Sequence, residues 1–584
     1  MAGKVDPITL SVVRGVLETT QREMTLTLER TARSNVFTLS HDYSNSIFDH
    51  KPEMVLQGQD IPIHLGALMP AMKSIASYFE GDIHPGDVMY ANEPSLMGSH
   101  LADCCVYKPV FFEGELAFWL VSKGHVTDIG GPVPACYNPD AKEIYAEGLR
   151  IPPLKIWDKG KPRNDVINMI FTNVRRRRDQ EGDLRAQLGA CAVGERNLLA
   201  MLKKYGRDTV LACTEELLDM ADRHMRSLIG SIPDGTYEET VALEDSGHGF
   251  GEIRIKATVT IAGDRCRIAI DSPPQIPYFI NSYKGNTISG AFLGLMMFAQ
   301  LDPPYNEGLY RCVEMDCGPL GTLCNAKEPA PCGNSTTTPM ESVTDAVRSA
   351  LEKAAPDRAV ASWGHTTGIT INGMDTRKGE EYVAMMQGTL ISGAGATGYL
   401  DGWHACGPEC CFGALISGDT EILEYQYPII IHRYELMTDS GGAGAHRGGS
   451  GTLWEVEPMD SPMTFVAWGE ARQNTTPGSS GAANRMADPK LGRIEVHRAD
   501  GTVETSRVNI VGVVKPGERV INRSPGGGGH GDPYRRPAEM VLADVVNGIV
   551  SAEAARLEYG VAVDATGRAV DPTATTTLRR AAAE

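Results

Sequence analysis

The apolar positions of the chain follow a helical period in several long stretches. Between residues 8 and 33, apolar side chains recur every three or four positions, and Pro7 stands where the first turn of a helix tolerates proline. We therefore predict a long amphipathic helix there. The same spacing predicts helices over residues 65–79, 288–300, 341–354 and 538–557, and a mostly helical region over residues 162–228.

Shorter runs that are apolar or alternate between apolar and polar positions predict β-strands. The clearest pair is 105–112 and 116–121, because Glu113-Gly114 between them is typical of a hairpin turn. Gly263-Asp264 similarly predicts a turn between strands at 253–261 and 265–270. Further strands are predicted over residues 36–39, 46–49, 87–90, 237–243, 423–434, 452–457 and 463–468.

These elements predict an α+β protein of several domains. Helices and antiparallel strands fall in separate stretches, and 584 residues exceed what one hydrophobic core usually organises. We predict an N-terminal domain of mixed helices and strands at 1–232, which ends in the helical segment. A central α+β domain at 233–430 and a glycine-rich antiparallel β domain with a C-terminal helix at 431–584 follow.

Charge and cysteine content narrow the class of protein. A net charge of −19 would repel nucleic acid and anionic membranes, so neither is expected as a main partner. The chain starts without a secretory signal, and no apolar run has the length that spans a bilayer. We therefore expect a cytoplasmic protein whose thirteen cysteines are reduced thiols.

Two His-x-x-Asp sequences lie close together, at His100 to Asp103 and at His125 to Asp128. The same spacing occurs at 84–87 and 497–500, and chance alone supplies about one such pair in a chain of this composition. The predicted hairpin separates the first two pairs. Because a hairpin brings its two ends together, His100, Asp103 and His125 are expected to converge.

Imidazole nitrogens and a carboxylate, with one position open to water, suit zinc, manganese or iron. A further carboxylate is needed as fourth ligand or as base, and Asp42 and Asp128 are the candidates. The alternative is that these histidines only form hydrogen bonds within loops. The residue pattern leaves both interpretations open.

The glycine-rich segments 441–449 and 526–529 do not match a known phosphate-binding loop. Neither is followed by the lysine and hydroxyl residue of a P-loop, and neither lies in a clear strand-GxGxxG-helix unit. We predict tight loops there, in which Arg447 and His530 remain candidates for anion contacts. No GxSxG elbow supports serine catalysis, and the chain shows no standard ATP site of its own.

Seven segments resemble hydantoinase B subunits, in the order of that family and over nearly the whole chain. They are residues 98–103, 123–131, 147–153, 182–187, 427–435, 439–444 and 524–529. Relatives in this family include the corresponding parts of 5-oxoprolinases and caprolactamase, and the alpha subunits of acetone and acetophenone carboxylases.

The resemblance implies a division of labour between two kinds of subunit. A hydantoinase A-type partner with an actin-like fold uses ATP to phosphorylate the substrate oxygen, and the present chain adds water to the activated intermediate. The ligands of a divalent metal, zinc foremost, would be His100, Asp103, His125 and Asp42. As a hypothesis, Asp128 orients or deprotonates the attacking water, and Asp42 is a second catalytic candidate. A heterotetramer is expected.

Two other functions are compatible with the resemblance. One is a subunit of an ATP-dependent ketone carboxylase, which would require bicarbonate and a third small subunit. The other is a non-catalytic scaffold. Among cyclic amides, the substrate is a lactam, oxoproline or a hydantoin. Met97 precedes Gly98 where many relatives carry paired glycines, and Val126 follows His125 where many carry a second histidine. These departures favour a lactam over a hydantoin.

Overall fold

The computed structural model describes residues 5–58, 60–243, 248–299, 305–470, 474–506 and 509–581. Contacts divide the chain into two compact units, one of residues 1–240 and 255–350 and one of residues 241–254 and 351–584. Both contain helices and mainly antiparallel sheets, so the predicted α+β class is confirmed. Neither predicted domain boundary, 232 or 430, coincides with a division between these units, and the three-domain arrangement stays a prediction.

The first unit contains sheets as well as long helices. The first begins as predicted, because Asp6 caps it by accepting a hydrogen bond from the Thr9 amide and Pro7 occupies its first turn. It packs along the fifth helix. The helices are α1 (Pro7–Thr31), α2 (Asn35–Thr38), α3 (Ile63–Tyr78), α4 (Asn164–Thr172), α5 (Arg177–Tyr205), α6 (Arg207–Ile229), α7 (Lys284–Ala299) and α8 (Met340–Ala354).

This unit contains a seven-stranded sheet. Its strands are β1 (Tyr43–Asp49), β2 (Met54–Gln57), β3 (Val88–Ala91), β4 (Asp103–Phe112), β5 (Glu115–His125), β6 (Leu154–Asp158) and β7 (Lys161–Pro162), in the order β2-β1-β5-β4-β3-β6-β7. A second sheet has the order β11-β10-β9-β8 and contains β8 (Gly235–Leu243), β9 (Ile253–Ala262), β10 (Arg265–Asp271) and β11 (Val313–Asp316).

The predicted hairpin is the pair β4 and β5 at the middle of the large sheet. It turns at Glu113 and Gly114, which both have positive φ angles (53° and 87°). Asp103, the first residue of β4, pairs with His125, the last residue of β5. The open end of the hairpin therefore carries two of the predicted site residues.

The second unit contains two antiparallel sheets that share one buried core, to which Ile369, Trp454, Phe465 and Ile494 contribute. The sheet orders are β13-β12-β16-β19 and β14-β15-β20-β17-β18. The strands are β12 (Thr367–Asp375), β13 (Glu380–Met385), β14 (Ile429–Leu436), β15 (Thr452–Pro458), β16 (Met463–Gly469), β17 (Arg493–His497), β18 (Val503–Ser506), β19 (Ile510–Val514) and β20 (Arg519–Arg523). The helices are α9 (Thr420–Gln426), α10 (Ala538–Val546), α11 (Ala552–Tyr559) and α12 (Pro572–Ala581).

Three predicted elements were wrong in type or extent, each because of a capping or turn residue. Residues 36–38 belong to the short helix α2, which the Ser34 hydroxyl caps, and not to a strand. Residues 423–426 belong to α9, which Asp419 caps, before the strand β14 begins. The predicted helix at 538–557 is two helices, because the chain turns at Gly548 (φ 73°) and Ser551 caps α11.

The glycine-rich segments form tight loops, as predicted. A Cβ added at Gly448 would lie 1.9 Å from the Gly527 oxygen, so only glycine allows this approach. Arg447 donates from Nε to Asp544 (3.0 Å), and His530 Nδ1 lies 2.7 Å from the Ser479 hydroxyl. Both side chains thus have protein partners. None of the described helices combines the length and the apolarity that crossing a bilayer requires.

Candidate metal centre

Three predicted side chains meet at the open end of the β4–β5 hairpin. Asp103 and His125 are directly paired across the two strands, so their side chains lie on the same face of the sheet. His100 reaches the same place, with its Nε2 3.4 Å from Asp103 Oδ1 and its ring centroid 5.0 Å from that of His125. All three side chains are buried. The structure therefore brings together two imidazoles and one carboxylate.

A backbone carbonyl fixes the orientation of the His100 ring. His100 Nδ1 donates to the Gly333 oxygen at 2.8 Å, which leaves Nε2 directed at Asp103. The buried Glu147 carboxylate holds that loop in turn, since it accepts hydrogen bonds from the amides of Cys332 (2.8 Å) and Gly333 (2.6 Å). Metal-binding histidines are commonly held in this way, through the nitrogen that does not face the ion.

Asp103 is held asymmetrically. Lys123 Nζ lies 3.0 Å from its Oδ2, and the Ser99 hydroxyl donates to the same oxygen. Lys123 also donates to Ser99 at 2.6 Å. The other oxygen, Oδ1, faces imidazole nitrogens. Burial alone would raise the pKa of Asp103, but Lys123 and His100 offset it and hold this pKa well below its usual range.

His125 offers a buried nitrogen for which the described residues supply no hydrogen-bond partner. This nitrogen is Nδ1, whereas Nε2 lies 3.2 Å from the Tyr137 hydroxyl. Burial, followed by the proximity of His100, lowers the pKa of His125 to about 3, so the ring is neutral. In the tautomer whose Nε2 donates to the Tyr137 hydroxyl, Nδ1 carries the lone pair of the ring. A buried imidazole lone pair without a donor costs free energy unless a cation or a water molecule occupies the place beside it.

A fourth side chain, His64 on α3, was missed by sequence reasoning. Its Nε2 lies 3.9 Å from Asp103 Oδ1, and its Nδ1 lies 2.9 Å from the Ser44 hydroxyl. Burial, and then the charge of Lys123, lowers the pKa of His64 well below its ordinary value. No local motif marks this residue, because it comes from a helix outside the hairpin.

Asp42 lies immediately before β1, opposite His125. Its carbonyl oxygen accepts a hydrogen bond from the His125 amide at 3.1 Å, and the next residue, Tyr43, pairs with Gly124. Residues that lie opposite each other in antiparallel strands present their side chains on the same face. The backbone therefore places Asp42 next to His125, and its role as a fourth ligand stays a prediction.

Asp128 has a different environment from the one expected of a base. Its two oxygens accept hydrogen bonds from Arg175, one from the amide (2.7 Å) and one from Nη1 (2.7 Å). Arg175 also donates to the Gly131 oxygen at 2.6 Å. Burial raises the pKa of Asp128, and the bonds from Arg175 only partly oppose it. This carboxylate fastens the loop at Arg175 to the loop after β5.

The other two His-x-x-Asp sequences have local structural roles. Asp87 accepts a hydrogen bond from the His84 amide at 2.8 Å and forms an ion pair with Lys155 at 3.0 Å. His497 lies at the end of β17 with its side chain 40% exposed and 3.4 Å from Glu495. The spacing alone therefore does not distinguish a site from a turn.

An acidic cluster elsewhere in the first unit has protein cations as partners. Asp49, Glu53 and Glu215 place carboxylate oxygens within 4.8 Å of one another. Lys51 lies 3.0 Å from Glu215, and Arg311 lies 3.0 Å from both Glu53 and Glu215. These ion pairs offset part of the negative charge of the three carboxylates.

The donor set around Asp103 fits a divalent metal ion. Two imidazoles and a carboxylate are ligands that zinc, manganese and iron all accept. The buried His125 Nδ1 gives an observation independent of residue type, because it lacks a hydrogen-bond partner among the described residues. His100, Asp103 and His125 would hold such an ion, with Asp42 and His64 beside them.

Comparison with known proteins agrees with this fold. Caprolactamase subunit beta of Pseudomonas jessenii is 64% identical over 578 residues, which are 99% of each chain. The crystal structure of the ATP-dependent caprolactamase from Pseudomonas jessenii matches with a TM-score of 0.94 at 62% identity, over 99% of this chain and 100% of that chain. A nucleotide-free acetone carboxylase structure matches with a TM-score of 0.92 at 18% identity, over 99% of this chain and 83% of that one, which shows the shared fold alone. The family described as hydantoinase B/oxoprolinase matches residues 6–533, and the chain belongs to this family.

Proposed function

We propose that this chain is the metal-dependent subunit of an ATP-dependent cyclic amide hydrolase that opens a lactam ring of the caprolactam type. The observation that carries the proposal is the buried cluster of His100, Asp103 and His125. Family membership and 64% identity to a caprolactamase subunit support it. A hydantoinase A-type subunit would bind ATP, since the name "subunit beta" implies a second kind of chain. We propose a complex with two copies of each chain. We also propose that it lies in the cytoplasm, because thiols stay reduced there and the cysteines of this chain are free.

Two kinds of activation make the reaction feasible. An amide is a poor electrophile, and phosphorylation of its oxygen by the partner would make the carbonyl carbon more electrophilic. Water would then add to this carbon, and the ring C–N bond would break with protonation of the amine. The acyl phosphate that results would be hydrolysed by a second water to the carboxylate and inorganic phosphate. A divalent ion supplies Lewis acidity and lowers the pKa of a water molecule bound to it. Zinc is proposed first, and the same ligands accept manganese or iron.

The residues of this chain would bind and orient the reacting groups. Lys123 and Ser99 hold one oxygen of Asp103, so the other keeps its direction towards the imidazoles. Gly333 holds His100 through Nδ1, and Tyr137 contacts His125 through Nε2. These contacts fix the donor atoms before any ligand arrives, which reduces the reorganisation that the reaction requires. Burial of the cluster excludes bulk water.

The experiment that tests this function is reconstitution with the A-type subunit. We expect ATP-dependent opening of caprolactam only when both chains are present, with no requirement for bicarbonate. A chelator should abolish the reaction, and zinc, manganese or iron should restore it. Oxoproline and a hydantoin serve as comparison substrates.

A bicarbonate requirement with a ketone substrate would support the carboxylase alternative, for which the only structural support is the shared fold. Full activity after chelation would contradict the metal proposal.

Asp128→Asn tests the role of Asp128. Because Arg175 occupies both carboxylate oxygens, we expect a lower Tm and less than about a tenfold fall in kcat, with the metal content unchanged. A base that takes a proton in the transition state contributes about 10²–10⁴-fold. A fall of that size at an unchanged Tm would assign Asp128 the base role that its position after His125 first indicated.

A further inference from the structure

A pocket rich in arginine opens on the surface of the first unit, where the end of α1 lies against the first turns of α5. Its volume is about 540 Å³, within the range of about 300–1,000 Å³ that is typical of small-molecule sites. We call it the arginine pocket. The described residues that line it are Thr31, Arg33, Arg177, Arg178, Glu181, Gly182 and Arg185. None of them belongs to the candidate metal centre.

The fold positions these arginines before any ligand binds. The buried Asp183 on α5 accepts hydrogen bonds from the amides of Arg33 (2.7 Å) and of the residue after it (3.0 Å), which fasten the chain after α1 to α5. A Cβ added at Gly182 would lie 2.8 Å from Arg33 Cγ and 3.0 Å from its Nε, so the glycine leaves room for Arg33 across the helix. Arg178 and Arg185 are two helical turns apart and therefore lie on one face of α5.

Most of the positive charge in the arginine pocket has no counter-charge among the described residues. Arg177 donates to Glu181 at 2.7 Å, and Glu181 is the one acidic residue of the lining. The side chains of Arg33, Arg178 and Arg185 form neither an ion pair nor a hydrogen bond with any described residue. Three like charges in one pocket repel one another, although the whole chain has a net charge of −19. An anion bound between them would relieve this repulsion.

The lining of the arginine pocket favours a chain of phosphate groups over other anions. A guanidinium group binds phosphate oxygens through two parallel hydrogen bonds, and several phosphates in a row offer enough oxygens for several arginines. Arg178 and Arg185 start about 10 Å apart along the helix axis, a span that two or three linked phosphates bridge better than one small anion. None of the described lining residues is aromatic or aliphatic, so none would stack on a base.

We propose that the arginine pocket binds the phosphate chain of an oligophosphate anion, which is either inorganic triphosphate or the triphosphate of a nucleotide, without recognising a base. The proposal goes beyond the proposed function, because it assigns this chain an anion site in addition to the ATP site proposed for the partner. Segment 182–187, one of the seven that resemble the family, would then contribute Gly182 and Arg185 to ligand binding.

Calorimetric titration of the purified full-length chain, without the A-type partner and in chelator, tests the proposal. The chelator prevents a metal ion from binding the phosphates itself. We expect inorganic triphosphate to bind at one site per chain, ATP and GTP to bind within about threefold of it, and AMP to bind at least about tenfold more weakly. Loss of one charged hydrogen-bonding group weakens binding by about tenfold or more, and we expect this loss for Arg178→Gln and for Arg185→Gln.

Arg196→Gln is the matched control, because it removes the same charge from the same helix. Arg196 is exposed, does not line the arginine pocket and lies 3.4 Å from Glu23. Its replacement should change the affinity for triphosphate by less than about twofold, since salt screens charges that do not contact the ligand. The control therefore separates a local site from the general effect of charge.

The proposal is overturned if the parent shows no saturable binding of triphosphate, or if neither Arg178→Gln nor Arg185→Gln weakens binding more than Arg196→Gln does. ATP binding more than about tenfold tighter than triphosphate would mean that a base is recognised, which also overturns it. A short polyglutamate peptide that binds as tightly as triphosphate would assign the pocket to an acidic protein segment instead. None of these results bears on lactam opening, because the titration contains neither lactam nor partner.

Discussion

Replacing His100 by alanine is expected to abolish metal binding and lower lactam hydrolysis by about 10³-fold or more. His100 Nε2 faces Asp103, and Nδ1 is held by Gly333, so no other atom of the ring substitutes for it. An ion of this kind contributes several kcal/mol to charge stabilisation, and each 1.4 kcal/mol is about a tenfold change in rate. Metal content by elemental analysis and kcat with the A-type partner measure the two effects.

His497→Ala is the matched control for this prediction. His497 has the same spacing to a following aspartate as His100, yet its side chain is 40% exposed at the end of β17 and contacts Glu495. Its removal should leave both metal content and kcat unchanged. If His100→Ala kept a stoichiometric ion, or more than about a tenth of the parent activity, His100 would not be a ligand of the catalytic ion.

Asp103→Asn is expected to destabilise the chain as well as inactivate it. Asp103 is the carboxylate partner of Lys123, whose side chain is only 2% exposed. Removing one partner of a buried ion pair leaves an uncompensated charge and typically costs about 3–5 kcal/mol. We expect a loss of that order in the apparent free energy of unfolding in urea. Parent and variant are both measured in chelator, so that loss of the ion does not contribute.

The double variant Asp103→Asn/Lys123→Met separates the ion pair from the chemistry. Methionine fills a similar volume without a charge, so most of the lost stability should return. Neither the ion nor the activity should return, because the carboxylate ligand is still absent. Equal stability of Asp103→Asn and the parent in chelator would mean that the buried charge of Lys123 does not depend on Asp103.

The sequence was sufficient to predict the part of the site that depends on local order. A turn at Glu113-Gly114 between two apolar runs dictates a hairpin, and a hairpin dictates that its flanking residues meet. Asp103 and His125 accordingly occupy the paired end residues of β4 and β5. The long helices were predictable for the same reason, since the period of apolar residues is a local property.

Contacts between distant segments could not be predicted in this way. His64 lies close to Asp103 from α3, and Gly333 accepts a hydrogen bond from His100 in a loop far along the chain. Arg175 donates a hydrogen bond to Asp128. Each contact depends on how elements pack, which the spacing of residues does not encode. The strand predicted at 36–39 was wrong for a smaller reason, because one hydrogen bond from the Phe37 amide to the Ser34 hydroxyl favours a helical turn over an extended run.

The narrow cavity lined by Ser99, Asp103 and Lys123 is the least predictable feature for a related reason. Its shape comes from the absence of side-chain volume at Ala67, Ala71 and Ala91, which belong to a helix and a strand that meet only after folding. An alanine on an apolar helix face carries no sign, within the sequence, of whether it packs against a neighbour or borders a cavity. The fold is needed to distinguish the two.

Anomalous X-ray diffraction tests whether His100, Asp103 and His125 bind a metal ion. It is measured from crystals of the purified protein on both sides of the zinc absorption edge and compared at the manganese and iron edges. We expect one strong anomalous peak per chain, enclosed by His100, Asp103 and His125 and adjoining Asp42. Clear density for these side chains with no peak between them, in protein that opens lactams with its partner, would contradict it.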